Sequence, residues 1–424
     1  MHAPRCVEDE RPGQDQREEQ PQPQRLAQRY AYRRRRLGLR YVRRSRLTPS
    51  TVHQPTVGEP AGARAALRIR AFRPARWSYR DEMPAATPAP RARLGYLPAL
   101  DGLRALAIVL VVLHHASGVE RGPLEFGVLG VDVFFVLSGF LITALVAEQM
   151  RAGTFSRRRF YARRAIRLMP ALVVTVVVMT PAAVVVAGRW ELVGAIAALL
   201  YLTPLLTGQF FFHTWTLAFE EWFYLLWPIV LAKFFRDRLT LMQCAALVGV
   251  LGVVTQGLIY LVPGSFVARP SGLLIGCALG LYWLDGRRVR RPGAVLVLGL
   301  TLVLVGAGVG PVLWDALPYT LAVVGAVLVI GAIASDASGP VARALASRPM
   351  VAVGVVSYEW YLVHFPLLQL TEELWGAIQS LWMGPLSLGI AFALHRALAP
   401  FQARLRARLG ESRPVTGLAD EAIV

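Results

Sequence analysis

A guanidinium and an imidazole stand eleven residues apart inside one apolar stretch, PALDGLRALAIVLVVLHHA, residues 98–116. Ionisable groups are costly in hydrocarbon, so each one in such a stretch marks a candidate functional site. There are four: Asp101, Arg104, His114 and His115. Eleven helical steps make roughly three turns and about 16 Å of rise, which puts Arg104 and His115 on one stripe. Asp101 lies three residues before Arg104 and can reach it on the same side, whereas His114 points about 100° away. Histidine exchanges a proton near neutrality. A guanidinium stabilises negative charge as it develops on an oxygen. One face of this helix thus presents an acid and a guanidinium near one membrane surface and an imidazole deeper or toward the other.

Four further stretches carry chemistry-bearing residues. In GVLGVDVFFVLSGFLIT (127–143), Asp132 stands near a helix start, and Gly130, Ser138 and Gly139 let another helix approach closely. In RRRFYARRAIRLMP (157–170), Arg164 and Arg167 are three apart and share a face, where two guanidiniums can bind phosphate. In HTWTLAFEEWFYLLWP (213–228), Glu220 and Glu221 open an apolar helix among aromatic residues and, being adjacent, must face different sides. In SYEWYLVHFPL (357–367), Glu359 and His364 lie in or beside an apolar run, and Pro366 is expected to kink it. A lone buried histidine is usually structural, so His364 receives no role at this point. A carboxylate from Asp132, Glu220 or Glu221 is expected to orient His115.

The elements that must hold these residues are membrane helices. The 424 residues are 55% hydrophobic and only 17% charged, against about 25% charged in an average soluble domain. Apolar runs lie near 99–117, 128–148, 171–188, 192–206, 217–235, 241–262, 271–285, 294–313, 317–335, 351–371 and 377–398. Basic clusters at 151–167, 233–238, 287–291, 343–348 and 404–413 belong on the cytoplasmic side by the positive-inside rule. Eleven spans would break that rule; dropping the short run 192–206, interrupted by Pro204, repairs it. The expected fold is an all-α polytopic transmembrane bundle of about ten spans plus one re-entrant or interfacial segment, with both termini cytoplasmic. The net charge of +19 does not argue for nucleic acid, because the arginines sit in the N-terminal segment and in loops between apolar runs. Cys6, Cys244 and Cys277 show no paired spacing, so neither a disulfide framework nor a zinc site is expected.

Residues 1–95 differ in kind, with 21 Arg against 9 acidic residues and no sustained apolar period. Two readings stand: a disordered basic cytosolic arm that touches anionic lipid, or a start codon placed too early, with translation beginning near Met83. The expected division is this arm, a transmembrane domain over 96–402 and a cytosolic tail over 403–424.

Taken in order, LPALDGLRALAIVLVVLHHA, GVDVFFVLSGFLIT, FYARRAIRLMPA, HTWTLAFEEWFYLLWP, RPSGLLIGCALG and SYEWYLVHFPL resemble the successive signatures of the acyltransferase-3 family, across about residues 96–401. The resemblance implies an integral-membrane enzyme of the bacterial inner membrane. It would move an acyl group, acetyl or another short chain, from acyl-CoA to a hydroxyl of a sugar, glycan or glycosylated natural product. It implies that His115 is the essential histidine, with Arg104 matching the family's arginine in the same helix. Arg164 and Arg167 match its paired arginines, linked to the acyl-CoA, and Ser138 is placed with them at the donor site. The expected catalytic set is His115, Glu220, Glu221, Asp132 and Arg104, with acyl-CoA as co-substrate, no metal, and membrane lipid as the surrounding partner. Two departures stand out. Leu398 occupies the place where the family commonly has a Glu before its Pro-Phe pair, and the stretch after residue 401 is shorter than the soluble esterase-like domain of longer members. The rival reading is a polytopic transporter of a sugar or lipid, with the charges lining a path; it predicts inverted internal repeats, which the sequence does not display.

Overall fold

The apolar runs form helices because hydrocarbon leaves a lone backbone no partner but its own ladder; the run 192–206 is helical only as far as Leu199. The computed structural model describes residues 94–116, 125–206, 208–261, 269–309, 316–375 and 380–409, all within one compact unit. The expected arm up to residue 93 and the tail from residue 410 lie outside the described residues. In chain order the helices are α1 (Pro98–Ala116), α2 (Gly130–Arg151), α3 (Arg157–Ala187), α4 (Glu191–Leu199) and α5 (Trp215–Arg236). Then come α6 (Leu241–Leu261), α7 (Ser271–Leu284), α8 (Pro292–Val309), α9 (Leu317–Ser335), α10 (Pro340–Leu345), α11 (Arg348–Val355), α12 (Ser357–Trp375) and α13 (Ser380–Arg408). Short 3₁₀ turns precede α2 and α5.

Five helices, α1, α2, α3, α6 and α9, are long and apolar enough to cross a membrane, and the bent pair α11–α12 makes a sixth. Helices α7 and α8 are apolar but shorter. Helices α5 and α13 hold charged residues that lower their hydropathy, among them Glu220, Glu221 and Lys233 in α5 and Arg396 and Arg404 in α13. The architecture is the polytopic all-helical bundle read from the sequence, with five to six of the about ten expected spans long and apolar enough to cross a membrane. Helix α4 is nine residues long and, like the six-residue α10, too short to span a bilayer. The chain folds back beyond it, because the Glu191 carboxylate accepts the backbone N–H groups of Gln209 and Phe210 at 2.7 and 3.3 Å. That return delivers His213 to the start of α5.

Helices α1 and α2 form the centre: 67% and 78% of their spanning windows are buried, against 28% for α3 and α6. The outer helices show the expected lipid-facing apolar surface, for instance Val177, Val178, Val250 and Val253. Small residues set the central crossings. A Cβ on Gly139 of α2 would strike the Leu273 carbonyl of α7, and one on Gly276 of α7 would strike the Val136 carbonyl of α2. On the other side of the centre, Gly354 of α11 lies against the backbone of Asp101 in α1. In this geometry dispersion between backbones replaces the hydrophobic effect that lipid cannot supply. The sharp bend near the SYEWY stretch is 64° between α11 and α12, with the break at Val356. Helix α12 then continues through Pro366.

Candidate active site

Helices α1, α2, α3, α5 and α12 wall a cavity of about 110 Å³. Its basic side carries Arg104, Arg164 and Arg167, its acidic and hydroxyl side Glu220 and Ser138, and a third side Thr216 and Tyr361. The three arginines differ in how they are held. Arg104 donates from Nη1 to Asp101 Oδ1 at 3.0 Å, the i, i+3 contact its spacing predicts. Arg164 donates from Nε to Glu221 Oε1 at 2.9 Å, and its guanidinium lies 3.2 Å from the centroid of the Tyr224 ring. Arg167 has no ion-pair partner among the described residues, and its Nη1 is buried without a hydrogen bond. Only its backbone carbonyl is engaged, accepting from Gln402 Nε2 at 3.1 Å. A cation left unpaired against a cavity is costly until an anion arrives.

Glu220 and Glu221 do turn to different partners. Glu220 accepts from the Ser138 hydroxyl at 2.9 Å and faces the cavity, whereas Glu221 holds Arg164. Ser138 is therefore a cavity residue that positions a carboxylate.

Asp132 stands apart from these. It is buried in an ion pair with Arg269 at 2.5 Å, and Arg269 also bonds the Val128 carbonyl and stacks over Tyr319 at 4.5 Å. The structure thus places Asp132, expected as one candidate to orient His115, in a pair with Arg269. Breaking one partner out of a buried pair costs about 3–5 kcal/mol. Arg269→Met is therefore expected to lower the yield and Tm of folded protein, measured in detergent. Asp132→Asn in the same chain should recover part of the loss, while the apparent KM for the acyl donor stays where it was.

His115 lies with two other imidazoles. Its Nδ1 is 3.1 Å from Nε2 of His364 on α12, and its ring meets Phe365 edge-on at 4.9 Å. His213, from the turn before α5, packs 5.7 Å from His364, centroid to centroid. The His114 ring lies 5.0 Å from that of His115, centroid to centroid, and its Cβ packs near Gly127. Glu220 and Glu221 are engaged by Ser138 and Arg164, and the side chain bonded to Nδ1 of His115 is His364. Tyr361 stands between this cluster and the cavity. Its hydroxyl donates to the His213 carbonyl at 2.7 Å and lies 2.7 Å from Thr216 Oγ1, while its ring packs 5.6 Å from His364. The cavity and the imidazoles are therefore separated by a wall one side chain thick.

Sequence reasoning gave no role to His213, His364, Tyr361 or Arg269. The available signal was spacing: Tyr361 and His364 are three apart on one helix and share a face. At the far end of the bundle, Leu398 packs in an apolar cluster with residues of α3 and α4. A carboxylate reaches this region from α12 instead, where Glu359 Oε1 is 3.0 Å from His395 Nδ1.

The acyltransferase domain family matches residues 97–396, most of the chain and all the elements that wall the cavity. The chain belongs to the acyltransferase-3 family. It is 30% identical over 344 residues to the peptidoglycan O-acetyltransferase OatA of Listeria monocytogenes, covering 70% of this chain and 54% of that relative. It is likewise 30% identical over 313 residues to the O-acetyltransferase OatA of Staphylococcus aureus, covering 64% and 51%. The chain spans about half the length of these curated relatives. No solved structure matches it. The chain is thus an acyltransferase-3 protein built as a multi-pass membrane bundle, and the matched segment begins one residue before α1 and ends within α13.

Proposed function

We propose that this protein is a membrane O-acetyltransferase that carries acetyl from acetyl-CoA to a hydroxyl of a cell-envelope glycan of the peptidoglycan type. The observation that carries the proposal is Arg167, an unpaired guanidinium facing a cavity that already holds two anchored arginines. A CoA phosphate is an anion that would complete it through paired charge-assisted bonds. The basic cluster at 157–167 belongs on the cytoplasmic side, where acyl-CoA is found, and the same reading keeps both termini there. The names of the relatives favour acetyl as the acyl group and a peptidoglycan sugar as the acceptor.

In this reading His115 takes the proton of the acceptor hydroxyl as its oxygen attacks the thioester carbonyl. The C–S bond then breaks, and the departing CoA thiolate takes the same proton back. Negative charge gathers on the carbonyl oxygen between the two steps, while Arg104, about three turns from His115 on the same helix, opens to the cavity and guides the pantetheine arm of the donor. Glu220, fixed by Ser138, holds Arg104 and Arg164 in a balanced field. Bringing donor and acceptor into line supplies much of the acceleration.

The test is the mass of the glycan. Expressed in a bacterium whose peptidoglycan carries no O-acetyl groups, the full chain should add an alkali-labile acetyl ester to muramyl sugars. Unmodified glycans beside a properly inserted protein would refute the acceptor assignment.

A further inference from the structure

We infer that His364 is a positioning residue that fixes the tautomer of His115 and leaves the lone pair on Nε2 of His115. The inference rests on the reading of His115 as the base. The proton positions follow from the partners. Nδ1 of His364 lies 3.0 Å from the Trp360 carbonyl, one turn earlier in α12. A carbonyl can only accept, so Nδ1 of His364 carries hydrogen. A neutral imidazole has one N–H, so Nε2 of His364 is an acceptor. Its partner at 3.1 Å is Nδ1 of His115, which must therefore donate. The remaining nitrogen of His115, Nε2, then has no hydrogen and is the basic one.

His364 is fully buried, and among the described residues no carboxylate is bonded to it. A neutral imidazole is the form such a place accepts, because an unpaired charge there would be far more costly. Many histidine bases are held by a carboxylate that fixes tautomer and ring orientation. Here an imidazole, itself tied to a backbone carbonyl, does the same without placing a second formal charge in the membrane. During transfer the acceptor proton arrives at Nε2 of His115 and leaves from it to the thiolate, while the Nδ1–H stays on its bond to His364. Helix geometry links the device to the cavity, because His364 follows the cavity residue Tyr361 by three positions on the same face.

The experiment uses the full chain in lipid nanodiscs, with acetyl-CoA as donor and a muramyl oligosaccharide as acceptor, read by release of CoA thiol. General acid–base action contributes about 10²–10⁴-fold, and loss of the correct tautomer should remove roughly 10²-fold of it. His364→Leu is expected to lower kcat by that factor with the KM for acetyl-CoA unchanged. His364→Gln places an amide oxygen near the former Nε2 and should restore kcat at least about tenfold over the leucine variant. His364→Asn is too short to reach His115, and it serves as the comparison if the leucine variant fails to fold; glutamine should exceed it by about the same factor. Equal activity in the glutamine variant and its comparison, or wild-type kcat in His364→Leu, overturns the tautomer role. His115→Ala is measured alongside. If it is inactive while His364→Leu is not, only this inference fails; if it is active, the base assignment fails and this inference with it.

Discussion

His115→Ala is expected to abolish acyl transfer while the protein reaches the membrane in normal amount. In this reading Nε2 of His115 is where the proton goes. His364 has its Nδ1 hydrogen tied to Trp360 and its Nε2 bonded to His115, and His213 is buried behind Tyr361. Losing the general base costs about 10²–10⁴-fold in kcat. His114→Ala should be milder, because it is Nδ1 of His115 that meets His364 on α12. Rates on matched amounts of folded protein decide it, and an active His115→Ala enzyme would contradict the mechanism.

The second large effect falls on the donor, and here the two arginines part company. Arg167→Ala should raise the apparent KM for acetyl-CoA far more than that for the acceptor. A charged hydrogen bond is worth about 1.5–3 kcal/mol, which is roughly ten- to a hundredfold in affinity. Arg167→Lys should recover only part, since an ammonium keeps the charge but not the fork. Arg164→Ala should behave differently. It removes the partner of Glu221 and the cation over Tyr224, so folded yield and kcat should fall together with donor affinity. A topology anchor would give a third pattern, with lysine silent, alanine reducing membrane yield and KM unmoved. Steady-state kinetics on both alanine and both lysine variants separate the three.

Local spacing made much of the site legible. Asp101 and Arg104 meet as three-residue neighbours on a helix must, and the adjacency of Glu220 and Glu221 forces them toward different helices. The positive-inside rule singled out the run 192–206, and its helix is nine residues long. What stayed hidden depends on which helices touch. Asp132 and Arg269 are 137 residues apart, and His115 and His364 are 249 apart. No periodicity within one helix encodes such pairs; they are set by crossings such as Gly139 on Leu273 and Gly354 on Asp101. Arg164 and Arg167 look equivalent in sequence because spacing gives their shared face. Only packing shows that Glu221 occupies one and leaves the other open to the cavity. The bend at Val356 escaped for the opposite reason. Pro366 is the conspicuous helix breaker in that stretch, yet α12 runs through it, and the close approach of Gly354 to α1 lies at the bend itself.

The most direct test of the account is transfer by the purified chain alone. Reconstituted in nanodiscs with radiolabelled acetyl-CoA and a muramyl oligosaccharide, the protein should release CoA thiol in proportion to label gained as an alkali-labile ester on the sugar. Both signals should vanish in His115→Ala. Label that never reaches the sugar, with thiol release no greater than in His115→Ala, would contradict acyl transfer by this bundle.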